Sequence, residues 1–132
     1  MYVSGCRLRV EVNRQSYGSA AGQWRWAEYD SVIVESEASN YTLHVTGYHG
    51  DAGDAFSAFS VYTDRWRSNG MPFSTPDVDN DQWLAGNCAV GNRCGWWFNW
   101  CSLSILNGMD MKWASIWSSV SASRMMMQCS AD

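Results

Sequence analysis

The sequence predicts an α+β domain in which an antiparallel central sheet carries a long, loop-rich segment. Two observations carry this. Apolar and polar residues alternate in the first third of the chain, which marks half-buried strands. From Gly47 onward glycines punctuate the chain at Gly50, Gly53, Gly70, Gly86, Gly91, Gly95 and Gly108, and periodicity fades. With 132 residues the chain is long enough for one domain with a real core.

The elements follow in order. Leu8, Val10 and Val12 alternate with Arg7, Arg9, Glu11 and Asn13, the pattern of a strand with one buried face. Residues 13–23 carry Gly18 and Gly22 and read as a turn or loop. Residues 24–35 alternate loosely, and Val32, Ile33 and Val34 favour a strand. Residues 35–40 are polar and turn-like. Tyr41, Leu43 and Val45 then alternate with Thr42, His44 and Thr46, giving another strand, and these strands can join as an antiparallel meander. Residues 54–62 are compatible with a short helix. Residues 65–108 are otherwise irregular, and so long a stretch needs staples such as a disulfide and a metal ion. Met125-Met126-Met127 reads as a closing strand.

Composition excludes several function classes. The formal net charge is −4 and Lys112 is the only lysine, so no basic patch for nucleic acid is visible. No apolar run has the length of a membrane span. The N-terminal residues lack a basic region followed by an apolar one, so no signal peptide is expected. Five cysteines leave at least one unpaired within the chain. Together with the nine tryptophans and the scarcity of lysine, they fit a fragment of a longer secreted protein better than a cytosolic protein with free thiols.

The chemistry is concentrated in residues 73–108. Asp77, Asp79 and Asp81 stand at every second position, and in a turning loop their carboxylates can converge on a hard cation such as calcium. An EF-hand is excluded: counting from Asp77, the sixth position is Gln82 rather than Gly and the twelfth is Cys88 rather than Glu. A solvated acidic turn is the plainer reading of the triplet. Cys88 and Cys101 lie thirteen positions apart, and a disulfide over a loop of that length contributes about 3 kcal/mol by chain entropy. The cysteines lack zinc-site spacing. Trp96, Trp97, Phe98 and Trp100 lie between them, most of them suited to a core and one or two to a pocket wall. Cys6 and Cys129 flank the first and last strands and can pair if those strands are neighbours. Otherwise each is free or pairs elsewhere.

In order and spacing these stretches resemble the C-terminal part of a fibrinogen-related domain, the module of ficolins, tachylectins, angiopoietins, tenascins and the fibrinogen chains. The matching residues include Leu8-Arg9-Val10-Glu11-Val12, Ala27-Glu28-Tyr29-Asp30, Gly47-Tyr48-His49-Gly50-Asp51, Asn69-Gly70-Met71-Pro72-Phe73, Asp77-Val78-Asp79-Asn80-Asp81, Asn87-Cys88-Ala89, Gly95-Trp96-Trp97-Phe98, Cys101 and Leu106-Asn107-Gly108. The resemblance implies a fibrinogen C-terminal-like fold whose N-terminal part is missing. The central sheet is expected from about residues 1–62 plus the C-terminal strand, and a calcium and pocket subdomain from about 63–120. It implies calcium bound by the side chains of Asp79 and Asp81 and the main-chain carbonyls of Trp83 and Ala85. It also implies a Cys88–Cys101 disulfide, a cis bond between Trp100 and Cys101, and a ligand pocket at Asn92, Trp100, Cys101 and Ser102.

Departures from the family pattern fall on the pocket. Ser102 stands where the family often has His, Asn92 where an aromatic or acidic residue is frequent, and Asp110 where many members have Tyr. The stretch between Gly108 and Trp113 is short, and Cys94 is additional. The resulting expectation is a secreted, non-enzymatic, calcium-dependent recognition domain that binds acetylated carbohydrate in a lectin-like way. The alternative is a module for adhesion or receptor signalling that binds a cell-surface protein. A metal-dependent hydrolase using the aspartates lacks a positioned base. Oligomers are possible through an upstream region. Asn40-Tyr41-Thr42 is a glycosylation sequon.

Overall fold

The apolar stripe of the first strand places it in the middle of the sheet. In the computed structural model, which describes residues 3–14, 22–57, 61, 63–113 and 120–130, β1 (Val3–Arg14) pairs antiparallel with β2 (Gln23–Val34) on one side and with β6 (Val120–Cys129) on the other. With β3 (Leu43–Gly50) the order is β3-β2-β1-β6. Leu8, Val10 and Val12 are buried on one face, level with Ala27, Tyr29 and Val32 of β2 and Leu43 and Val45 of β3. Gly50 ends β3 at φ 136°, where a Cβ would stand 2.3 Å from the Trp26 carbonyl oxygen, so only glycine lets the strands close here.

The opposite face of the sheet is a charge ladder. Arg9 donates to Glu11 and Glu28 at 2.9 and 3.1 Å, Arg7 reaches Asp30 at 3.1 Å, and Arg124 reaches Glu11 at 3.2 Å. The Arg9 and Arg124 guanidiniums also lie over the Trp26 and Trp24 rings. Arg7, then His49, holds the Asp30 carboxyl below the usual carboxylate range. The Arg7–Asp30 pair is exposed and tunes the surface more than it stabilises the fold, while the Arg9 pairs are partly buried.

The core face is covered by Phe56. Its ring lies 5.4 Å from Tyr29 of the sheet, 6.1 Å from Trp96 and 5.2 Å from Trp113. The Tyr29 hydroxyl donates to Asp54 at 2.7 Å, and the same carboxylate oxygen receives the main-chain N–H of Phe56 and Ser57. Burial, followed by the Asp54 charge, pushes the Tyr29 phenol far above its usual range. The Phe56 carbonyl in turn accepts from the main-chain N–H groups of Ser68 and Asn69.

Regular structure is sparse beyond this point. Among the described residues it comprises a 3-10 turn at Asp64–Trp66, α1 (Cys88–Asn92), the two-residue strands β4 (Ser104–Ile105) and β5 (Lys112–Trp113), which pair with each other, and isolated bridges between Ser74 and Trp96 and between Thr75 and Val78. Cys6 is bonded to Cys129 and Cys88 to Cys101, and Cys94 is a buried free thiol. The Cys6–Cys129 link spans 123 positions, for which chain entropy assigns about 5 kcal/mol.

Three readings are corrected. Residues 54–57 are not helical: the Asp54 side chain accepts the N–H groups of Phe56 and Ser57 and closes a turn there; residues 58–60 and 62 of the expected helix lie outside the described residues. Tyr41 is not a strand residue. Glu37–Ser39 form a 3-10 turn, and Asn40 and Tyr41 leave it at φ 51° and 56°, so β3 starts at Leu43. Irregular residues 65–108 contain α1, whose N-cap Asn87 accepts the Val90 N–H at 3.0 Å.

The outer edge of β3 is closed without another strand. Leu43 exchanges main-chain bonds with Gly70 and Met71, while the Asn69 amide binds both the N–H and the carbonyl of Val45 at 2.9 Å. Asn69→Ala is expected to cost about 1–3 kcal/mol in urea unfolding, the usual penalty for stranding half-buried backbone groups, with faster exchange of the Val45 amide. Arg7→Ala is expected to raise the Asp30 pKa toward the ordinary value in a carboxyl NMR titration. Because the folded-state value is depressed, Asp30 contributes stability above the unfolded carboxylate pKa and loses it as pH falls through the folded value. The variant narrows that window.

Candidate functional site

Aspartates at alternating positions form tight local turns when each carboxylate caps the N–H ahead of it. Asp79 accepts the Asp81 N–H at 3.1 Å, and Asp81 accepts Trp83 N–H at 2.8 Å through one oxygen and Cys88 N–H at 2.7 Å through the other. Asp81 thus fastens the loop to the first residue of α1. Asp77 turns away: its carboxylate receives the Thr75 hydroxyl at 2.7 Å within the Thr75–Val78 bridge. No group of three or more His, Cys, Asp or Glu side chains among the described residues is placed to hold a metal, so convergence of all three aspartates is corrected. Each closes its own turn instead.

Burial raises the Asp81 pKa, two backbone N–H groups oppose that rise, and neighbouring Asp79 adds to it. The pair is therefore a like-charged, half-solvated oxygen site. Each carboxylate oxygen keeps a second lone pair after its hydrogen bond. The Trp83 carbonyl accepts from Gly86 N–H at 3.2 Å, and the Ala85 carbonyl bonds to no described residue. Such hard oxygen donors fit calcium in chemical type.

The second part of the site lies across the Cys88–Cys101 bond. Asn99 is 5% exposed and organises it. Its amide donates to the carbonyls of Asp64 and Arg67, both at 3.1 Å, and its main chain bonds Gln82 and Cys101. The peptide from Trp100 to Cys101 is cis. Trp100 N–H bonds the Arg65 carbonyl at 2.7 Å, and Trp100 is 46% exposed. The Arg65 guanidinium lies 4.8 Å from the Trp66 ring and 5.4 Å from the Trp100 ring. A cation is thus displayed between aromatic faces. The main-chain N–H groups of Cys101 and Ser102, next to this surface, bond no described residue.

The remaining pocket residues are separated from it or used internally. Ser102 Oγ meets Ser68 Oγ at 2.7 Å and donates to the Ser104 carbonyl at 2.7 Å. The Asn92 amide donates to the Cys88 carbonyl at 2.8 Å, and Asn92 lines a cleft of about 330 Å³ with Gly91, Arg93, Met109 and Asp110. Trp100, Cys101 and Ser102 are not among that cleft's walls. Reasoning from the sequence missed Arg65, Trp66 and Asn99. Asn99, a lone amide inside an aromatic block, was the available signal; the Arg65 contact comes from a distant segment and leaves none.

Comparison with known proteins decides the family. A family model of the fibrinogen beta and gamma chains, C-terminal globular domain, matches residues 4–130. This chain belongs to the fibrinogen C-terminal domain family. It is 46% identical over 83 residues to angiopoietin-related protein 6 of Mus musculus, covering 63% of this chain and 16% of that protein. It is 42% identical over 110 residues to the fibrinogen alpha chain of Rattus norvegicus, covering 82% of this chain and 14% of that one. The chain therefore spans a small share of the relatives it matches. The fibrinogen-like globe domain of human ANGPTL6 superposes with a TM-score of 0.78 at 31% identity, covering 96% of this chain and 58% of the other. Lamprey fibrin D-dimer, complexed with the peptide ligand Gly-His-Arg-Pro-amide, gives a TM-score of 0.79 at 28% identity over 94% of this chain and 45% of the other.

Asp81→Ala is expected to destabilise the fibrinogen-related fold by about 1–3 kcal/mol even without metal, because the Trp83 and Cys88 N–H groups lose their acceptor. Amide hydrogen exchange should show lost protection at Trp83 and Cys88, while Asp77→Ala leaves both amides protected.

Proposed function

We propose that this domain is an extracellular, non-enzymatic recognition module whose ligand is a protein or peptide. The observation that carries the reading is the exposed Trp100 side chain with Arg65 over both it and Trp66, beside main-chain N–H groups of Cys101 and Ser102 that bond no described residue. Aromatic and arginine side chains of this kind dominate protein-binding surfaces. The peptide complex of lamprey fibrin D-dimer and the angiopoietin-related relatives support it at the level of the family. Two disulfides support an oxidising, extracellular location. No helix among the described residues is long and apolar enough to cross a membrane.

Acetylated carbohydrate has weaker support. The Ser102 hydroxyl, which would contact it, already spends its hydrogen bonds on Ser68 and Ser104, and the Asn92 amide gives one to the Cys88 carbonyl. Calcium remains part of the proposal as a structural ion. Asp79 and Asp81, with the Trp83 and Ala85 carbonyls, would hold it, and its charge would neutralise the aspartate pair. The chain's own contribution is to anchor that loop to α1 through Asp81 and to Asn99 through Gln82. The Asn40 sequon lies on exposed backbone after the 3-10 turn, a position open to a glycan.

Multimerised domain added to cells should give binding that surface proteolysis removes and that N-acetylglucosamine and glycosidases leave intact. Trp100→Ala should lower that binding tenfold or more. Glycosidase-sensitive binding displaced by N-acetylglucosamine would instead establish the lectin reading. Millimolar calcium should raise the thermal midpoint of the native chain and leave Asp79→Ala unaffected. Calorimetry without a calcium heat would remove the ion from the proposal.

A further inference from the structure

Trp66 and Trp100 present a cation that the domain leaves without a counter-charge. Arg7, Arg9, Arg67 and Arg124 each face a carboxylate within 3.2 Å. Arg65 is exposed, and its guanidinium bonds no acceptor among the described residues; it lies instead over the two indole rings. The carboxylate next to it in sequence, Asp64, is taken by Arg67 at 3.0 Å. Trp100 N–H bonds the Arg65 carbonyl and Leu103 N–H the Trp66 carbonyl, so the backbone that carries the cation is fixed to the backbone that carries Trp100.

This surface belongs to the closed side of the sheet. A few residues beyond Arg65 the chain reaches Asn69, Gly70 and Met71, which bond Val45 and Leu43 along the outer edge of β3. β3 and β6 stand at opposite ends of the order β3-β2-β1-β6, and the Cys6–Cys129 link lies at the β1–β6 end. The arginine and its rings are therefore built on the edge that the described chain covers with its own residues.

Resting on the reading of Trp100 as a protein-binding surface, we propose that the site takes an acidic peptide segment, with one Asp or Glu carboxylate on Arg65 and an apolar neighbour against Trp66 and Trp100. The planar guanidinium carries its N–H donors in a fork that matches a carboxylate with two parallel bonds. A ring face offers that fork no lone pair, so the donors stay open to a ligand. The main-chain N–H groups of Cys101 and Ser102, which bond no described residue, are donors for a peptide carbonyl beside it. Charge separates this ligand from a polyanion such as a sulfated glycan, which needs a patch of several cations. Arg67 is spent on Asp64 and the Asn69 carbonyl, Lys112 in β5 is the only lysine, and the formal net charge is −4. A single arginine beside two aromatic rings suits a single carboxylate with an apolar flank.

The test selects a displayed library of random short peptides on the oxidised native chain. Enriched sequences are expected to carry Asp or Glu next to an apolar residue. In fluorescence polarisation, Arg65→Gln should weaken the best of these peptides about tenfold or more, the usual worth of hydrogen bonds to a charged group. Replacing the peptide's acid by its amide should do the same. Arg65→Glu should abolish binding and instead capture the peptide with Lys in place of its acid, a gain that a merely structural role for Arg65 cannot produce. Enriched peptides without an acid, or an acidic peptide whose binding survives Arg65→Glu, overturn the proposal and leave the broader protein-binding reading standing. Binding of a heparin tetrasaccharide that Arg65→Glu removes assigns the arginine to a glycan and overturns it as well. A native chain that enriches no peptide also overturns it, while protease-sensitive cell binding decides the broader reading on its own.

Discussion

Burial of the Phe56 ring between the sheet and the loops is the contact on which the rest of the structure depends. Tyr29 belongs to the sheet; Trp96 and Trp113 belong to the loop-rich part; Phe56 touches all three. Strands β1 to β3 follow one another in sequence and pair as neighbours, but the loops have little regular structure of their own. They gain order by closing on this aromatic centre. Asp54 fixes the approach by holding the Tyr29 hydroxyl and two backbone N–H groups at one oxygen. Hydrophobic burial and a saturated hydrogen-bond acceptor therefore act at the same point, and neither alone would set the angle at which the loops leave the sheet.

From that centre, order reaches the exposed site through backbone groups rather than apolar packing. The Phe56 carbonyl fixes Ser68 and Asn69, Asn99 fixes the carbonyls of Asp64 and Arg67, and Trp100 bonds the Arg65 carbonyl. Arg65 and Trp66 thus hang from the same network that holds Trp100. On the other side, Gln82 bonds Asn99, and Asp81 bonds α1. The aspartate loop and the aromatic surface share Asn99 as a common support, which gives the loop's order a physical route to Trp100 and Arg65.

Much of this was legible in the sequence, for identifiable reasons. β1 was readable because Leu8, Val10 and Val12 alternate without interruption, and the closing strand because three methionines have no loop chemistry. The family could be recognised because its motifs depend on local spacing. What could not be read is what depends on competition for hydrogen bonds. Residues 54–57 look helical, yet the Asp54 side chain closes a bend there instead. Asp77 looks equivalent to Asp79 until Thr75 claims it. Ser102 looks available until Ser68, distant in sequence, binds it. Arg65 became part of the site only through a contact across the fold. In each case the residue type was visible and the partner was not.

The bond between Cys6 and Cys129 has a mechanical meaning as well. It joins the central strand to its neighbour near the two ends of the described chain, 123 positions apart. Tension applied to those ends would be carried by a covalent link, leaving the strands, the aspartate loop and the aromatic surface inside a closed ring of chain. A single proteolytic nick within the ring would leave both pieces attached.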